Sequence, residues 1–118
     1  MKILLVEDDP LLIDIYVTKF KEKGFDVDTM NGGENVLETV KSKKPDVVIL
    51  DIVLPHQDGW EILRQIKEDK DTKDTKIVVL SNLGQKEEVE KGLKLGAAQY
   101  LIKAHYTPSQ VVQEIEKL

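Results

Sequence analysis

The chain has 118 residues, 41% hydrophobic and 33% charged, a size and balance that suit one soluble globular domain spanning residues 1–118 and neither a disordered nor a membrane-embedded chain. With no Cys and only His56 and His105, a disulfide framework, a thiolate metal site and a Cys nucleophile are excluded, and a His-rich zinc centre is disfavoured. A net charge of −5, with Arg64 as the single Arg, argues against a direct nucleic-acid surface, which needs a basic stripe.

Lys2 to Val6 is a short apolar run, and Pro10 follows where proline favours the first turn of a helix. That helix is expected from Pro10 to Lys23, with Leu12, Ile15, Tyr16 and Phe20 turned inward and Gly24 as its stop. Phe25 to Met30 alternates as a strand does. Asn31, Gly32 and Gly33 then interrupt the chain, and Val36, Leu37 and Val40 mark a short helix ending before Pro45. VVIL at 47–50 is the candidate central strand, because an unbroken aliphatic run suits a strand covered on both faces.

Asp58 and Glu61 fit a variant capping box for a helix with Ile62 and Ile66 on one face. KIVVL at 76–80 is a further strand, and Gln85 to Leu95 a helix on which Val89 and Leu93 share a face, closed by Gly96. Tyr100 to Ile102 is the last strand. Thr107, Pro108 and Gln110 form a capping box for a final helix carrying Val111, Val112, Ile115 and Leu118. Five strand–helix repeats with short connections imply a doubly wound, five-stranded parallel α/β sheet with helices on both faces. No apolar run approaches the roughly 20 residues of a spanning helix, and the N-terminus lacks a secretory h-region, so a cytoplasmic location is expected.

Open parallel sheets bind ligands beyond the carboxyl ends of their strands. Here those ends carry Glu7, Asp8 and Asp9, then Asp51, Ser81 and Lys103. If strands one and three are neighbours, their carboxylates converge. Two carboxylates about 4 Å apart repel by about 4 kcal/mol at an effective dielectric near 20, so a cluster of three needs a cation or a proton. Mg2+, which takes one or two carboxylates plus waters and phosphate oxygens, meets that need. The remaining carboxylate is a candidate nucleophile, and Lys103 and the Ser81 hydroxyl are groups that a transferring phosphoryl group demands.

ILLVEDD at 3–9, VVILDIVLPHQDG at 47–59, IVVLS at 77–81 and GAAQYLIK at 96–103, in this order and spacing, make the chain similar to the receiver domains of two-component response regulators. The resemblance covers essentially the whole chain and implies the flavodoxin-like strand order 2-1-3-4-5. It implies Asp51 as phospho-acceptor, Asp8 and Asp9 as the acidic pair serving Mg2+ together with Asp51, and the backbone carbonyl of Val53 as a further metal ligand. Ser81 corresponds to the switch hydroxyl, Lys103 to the phosphate-binding lysine, and Tyr100 to the aromatic that turns inward when the hydroxyl engages phosphate. Pro55 and Gly59 shape the loop after the acceptor. The implied donor is a sensor histidine kinase or phosphotransfer protein, and the implied response is a reshaped face made by the fourth helix, fifth strand and fifth helix, read by an output domain or protein that the sequence does not name.

Three departures stand out. Ala104 replaces the proline usual after the lysine, Asn82 the small residue after the switch hydroxyl, and Val53 and Leu83 are apolar where the family controls access of hydrolytic water, so slow loss of phosphate is expected. These departures also sustain an alternative, a pseudo-receiver that binds partners without phosphorylation. The chain reads as a receiver alone, either free-standing or part of a longer protein, and Lys117 as the only base on its last helix, with no Arg, weakens the expectation of a dimer through that face. Taken singly, Trp60 reads as a partial cover for the core, His56 and His105 as solvated, and KEDKDTKDTK at 67–76 as a solvated helix end and loop. A phosphate-binding glycine loop ending in Lys-Ser/Thr is absent, as is a dinucleotide glycine fingerprint after strand one, where EDDP stands. Val53 occupies the place where a haloacid-dehalogenase-type phosphatase would carry a second Asp.

Overall fold

Alternation along each strand sorts the apolar residues between two layers. The computed structural model describes all 118 residues and contains β1 (Lys2–Val6), α1 (Pro10–Glu22), β2 (Asp26–Met30), α2 (Val36–Lys43), β3 (Val47–Leu50), α3 (Gly59–Glu68), β4 (Lys76–Ser81), α4 (Lys86–Lys94), β5 (Gln99–Ile102) and α5 (Pro108–Glu116). The five strands form one parallel sheet in the order β2-β1-β3-β4-β5, the order implied by the family resemblance. Ile3 and Leu5 of β1, Val47 and Ile49 of β3, Val78 and Leu80 of β4, and Leu101 of β5 pack with Tyr16 and Phe20 of α1 and Val111, Val112 and Ile115 of α5. Leu4 and Val6, Val48 and Leu50, and Ile77 and Val79 face the other way, onto Val36 and Val40 of α2 and Ile62, Leu63 and Ile66 of α3. The central strands are buried on both faces, which is why they read as unbroken aliphatic runs.

The helix starts that the sequence marks with caps follow that chemistry on α1 and α5 and only in part on α3. Asp9 caps α1, its Oδ1 accepting from the Leu11 and Leu12 amides at 3.0 and 3.5 Å. The Thr107–Gln110 box closes in both directions, at 2.8 and 3.2 Å. On α3 only half of the expected box forms: Asp58 accepts from the Trp60 amide at 3.0 Å, whereas Glu61 turns to the guanidinium of Arg64. A charged partner one turn along outcompetes a backbone amide for that carboxylate.

Three local features differ from the sequence reading. On α4 the buried residue is Gly92, while Leu93 is exposed, so Val89 and Leu93 do not form an inward pair. Within the segment at 67–76, Thr72 is fully buried and its hydroxyl donates to the Ile66 carbonyl at 2.6 Å, while Lys67 Nζ donates to the Thr75 carbonyl at 3.1 Å. The loop after Asp51 contains a small hairpin, Val53–Leu54 against Gln57–Asp58, turned at Pro55 and His56, with His56 at φ +62°. Gly59 then packs on Ile52 so closely that a Cβ would lie 2.4 Å from its carbonyl oxygen. The Gly59 amide donates to that oxygen at 3.1 Å, tying the loop to the start of α3.

Candidate functional site

The β1–β3 register pairs Val6 with Leu50, so the next step along both strands sets Glu7 beside Asp51. Continued alternation turns Glu7, Asp51 and Lys103 toward the side of the sheet carrying α1 and α5, because each lies two residues past Leu5, Ile49 and Leu101. The three side chains meet. Lys103 Nζ lies 2.6 Å from Glu7 Oε1 and 2.7 Å from Asp51 Oδ2, and all three groups are largely withdrawn from water. Asp51 Oδ1 accepts from the Val53 amide at 3.0 Å, and Glu7 Oε2 accepts from the Asp8 amide at 3.0 Å. Oxygens of Glu7, Asp8 and Asp51 lie within 4.8 Å of one another, and Asp8, which is exposed, has no partner within the chain for its carboxylate.

These residues line a cleft of about 300 Å³ with Asp9, Leu12, Val53 and Asn82. Burial pushes the Glu7 carboxyl above the usual range, a shift the Lys103 ammonium opposes. Burial also acts to lower the Lys103 ammonium, but its hydrogen bonds to Asp51 and Glu7 outweigh that and hold it above its ordinary value. Three carboxyl groups face a single ammonium, an excess of acidic oxygens that a cation or a proton would offset. The donor set, hard oxygens around an open cleft, therefore suits Mg2+.

Of the acidic residues read from the sequence, Asp8 and Asp51 enter this cluster and Asp9 does not. Its carboxylate is engaged at the α1 N-terminus, and Glu7 takes the place beside Asp51. Both signals were present in the sequence: an Asp directly before Pro marks an N-cap, and Glu7 has the same strand parity as Ile3 and Leu5.

Ser81 and Tyr100 occupy the opposite side of the sheet. The Ser81 hydroxyl is buried and accepts from the Leu83 amide at 3.3 Å. Tyr100 is turned inward, its hydroxyl donating to the Leu83 carbonyl at 2.6 Å, and burial raises its ionisation above the usual phenol value. After Lys103 the chain makes one 3-10 turn, Lys103–His105, and half-buried Tyr106 packs onto the α1–α5 layer. Ala104 and His105 are exposed in that turn, as is His56 in the hairpin.

A family profile described as the response regulator receiver domain matches residues 3–116. The chain belongs to the response regulator receiver family. The receiver is 31% identical over 119 residues to the alkaline phosphatase synthesis transcriptional regulatory protein PhoP of Bacillus subtilis strain 168, covering 99% of this chain and 48% of that protein. It is 41% identical over 103 residues to the transcriptional regulatory protein QseB of Escherichia coli O157:H7, covering 87% and 46%. The receiver thus spans about half the length of these relatives. Among solved structures it is similar to the BeF3-activated receiver domain of Klebsiella pneumoniae RstA, with a TM-score of 0.87, 28% identity and coverage of 99% and 97%. It also resembles DrrB, a Thermotoga maritima OmpR/PhoB homolog, with a TM-score of 0.84, 32% identity and coverage of 98% and 51%. The receiver has no helix long and apolar enough to cross a membrane.

Proposed function

We propose that this receiver accepts a phosphoryl group on Asp51 from the phosphohistidine of a sensor kinase or phosphotransfer protein and uses it to shift a partner-binding surface. The observation that carries this reading is the buried Asp51–Lys103 pair at the head of an acidic cleft. A carboxylate oxygen of Asp51 attacks phosphorus, the P–N bond to the donor imidazole breaks as the P–O bond forms, and the imidazole leaves with the electron pair and takes up a proton. Lys103 stays protonated and follows the charge from the carboxylate to the phosphoryl oxygens. Mg2+, when bound by Glu7, Asp8, Asp51 and the Val53 carbonyl, supplies the positive charge that lets a dianionic phosphoryl group approach carboxylates. Ser81, at the end of the adjoining strand β4, donates its hydroxyl to the new phosphate in this reading, which it can do while still accepting from the Leu83 amide. Asn82 and Val53 line the cleft, and the exposed apolar Val53 side chain gives attacking water no hydrogen-bond partner, which favours a long-lived phosphoryl group.

The response is a population shift. Moving a switch from roughly 1:99 to 99:1 needs about 5.5 kcal/mol, whereas one hydrogen bond contributes about 1 kcal/mol, so phosphorylation changes the balance only in part. The receiver's net charge of −5 favours a protein as reader, in a cytoplasmic setting where the donor's phosphohistidine is made. The departures at Ala104 and Asn82 favour the second reading, a pseudo-receiver that binds its partner without phosphate.

Intact mass after incubation with acetyl phosphate separates the two. A single phosphoryl adduct that requires Mg2+ and is lost in Asp51→Asn supports the acceptor reading. Absence of an adduct both with acetyl phosphate and with a phosphorylated kinase makes the pseudo-receiver the better one. For the metal site, Asp8→Asn should weaken the Mg2+ dependence strongly and Asp9→Asn should leave it nearly intact. The reverse pattern would return the acidic pair to Asp8 and Asp9.

A further inference from the structure

Tyr100 is held by groups that lie outside the Asp51 cleft. Its hydroxyl is fixed on the Leu83 carbonyl. Its ring stacks on Trp60 of α3, with centroids 6.4 Å apart and planes inclined by 27°. Against it lies Gly92, buried on α4, where a Cβ would come 2.6 Å from Tyr100 Cδ2, 3.0 Å from Cε2 and 3.6 Å from Trp60 Cζ3. The Lys91 ammonium, from the neighbouring position on α4, sits 4.6 Å from the Trp60 ring centroid. Helix α4 therefore engages both rings, one through a missing side chain and the other through a cation. Gly92 lies inside a helix at no positive φ, so backbone freedom does not explain a residue that weakens helices. The space it leaves for Tyr100 does.

We propose that Gly92, Trp60 and Lys91 form a brace that admits Tyr100 to its inward position and holds it there, making Trp60 and Gly92 positioning residues of the switch. Because the inward ring occupies the volume a side chain at position 92 would need, the orientation of Tyr100 and the seating of α4 on β5 are one variable. The indole on α3 and the cation over it set how strongly the inward arrangement is favoured before any phosphate contact is made. The consequence for signalling rests on the proposed function, but the brace itself rests on packing alone.

The test is fluorine NMR of the full chain labelled with 3-fluorotyrosine, without phosphorylation. The chain has three tyrosines, and Tyr16→Phe and Tyr106→Phe identify the Tyr100 resonance. Its shift on exchanging H2O for D2O reads exposure. The parent should show a protected Tyr100, Gly92→Ala an exposed one, and Trp60→Leu a change in the inward-to-outward ratio of roughly 2- to 12-fold, the worth of one aromatic pair. Trp60→Phe, which keeps an aromatic face, should restore most of the protection, which a merely space-filling role at that position would not require. Acetyl phosphate should still modify Asp51 in Gly92→Ala without bringing Tyr100 inward. Unchanged protection of Tyr100 in folded Trp60→Leu and Gly92→Ala overturns the brace, as does full inward return of Tyr100 in phosphorylated Gly92→Ala. Should Gly92→Ala not fold, the Trp60→Leu and Trp60→Phe pair decides by itself. A missing adduct in the parent would count against the acceptor reading and leave the brace result standing, whereas normal phosphorylation with unchanged Tyr100 exposure would sink the brace alone.

Discussion

The Asp51 cleft and the Tyr100 flank share one end of the same sheet but are built from opposite materials. In the cleft, Glu7, Asp51 and Lys103 are charged and nearly buried, and each ion depends on the others. On the flank, Tyr100 is held by an aromatic face, a glycine gap and one hydrogen bond to a backbone carbonyl. Removing one partner of a buried ion cluster leaves an uncompensated charge, while removing one contact from an aromatic cluster costs only that contact. The cleft should therefore behave as a unit and the flank by degrees, a division that suits chemistry in one place and a shiftable equilibrium in the other.

The largest effect should come from Lys103→Met, which strands two buried carboxylates. Without added Mg2+, urea unfolding at pH 7 should show a loss of about 3 kcal/mol. A loss below half of that would mean the cleft ions are not coupled, and the contrast with the flank would collapse. Next is Gly59→Ala, where the intruding Cβ meets the Ile52 backbone rather than a movable side chain. Overpacking of this kind costs about 2 kcal/mol, and it should also slow acetyl phosphate labelling by displacing the loop that leaves Asp51. Normal labelling in that variant would show that the loop does not set the acceptor's geometry. Tyr100→Phe should cost about 1 kcal/mol or less, since it removes a single hydrogen bond; a cost as large as that of Lys103→Met would place the flank in the same cooperative unit as the cleft.

The smallest effect belongs to an exposed ion pair, Lys41 with Asp69 at 2.9 Å, which serves as a reference for charges left in water. The hydrogen bond from Lys41 holds the Asp69 carboxyl below its usual range. A carboxyl depressed in the folded state stabilises above its unfolded pKa, and that contribution is lost as pH falls through the folded value. Asp69→Asn should thus lower the melting temperature slightly at pH 7, and the difference from the parent should shrink as pH falls below the ordinary carboxylate range of about 4. An undiminished difference at pH 3 would assign the effect to packing instead of charge.

Much of the fold was legible because its signals are local. The aliphatic runs of β1, β3 and β4, the proline-led starts of α1 and α5, and the stops at Gly24 and Gly96 each depend on a few consecutive residues. Asp51 and its partner Lys103 were legible for a related reason, since both directly follow a strand end. What escaped depended on neighbours distant in sequence. Leu93 has helical spacing from Val89 but looks outward, because the inward position on α4 is taken by Gly92 under Tyr100. Thr72 lies in a charged run yet is buried, because its hydroxyl turns back onto Ile66 of α3. The Pro55–His56 hairpin joins two-residue strands too short to leave a periodic pattern.

The sequence by itself determined the kind of protein: a parallel α/β sheet whose strands end in carboxylates, a hydroxyl and a lysine, with caps and stops that place each helix. The tertiary structure alone decided that Glu7, which strand parity already turns inward, meets Asp51 across the β1–β3 register, and what surrounds Tyr100. Hydrophobic period and capping act over a few residues and are written in the order of the chain. The pairing of Glu7 with Asp51 depends on the register between β1 and β3, and the seating of Tyr100 on Trp60 and Gly92 depends on how α3 and α4 pack. Both are set by the joint burial of side chains from distant parts of the chain, which no local pattern records.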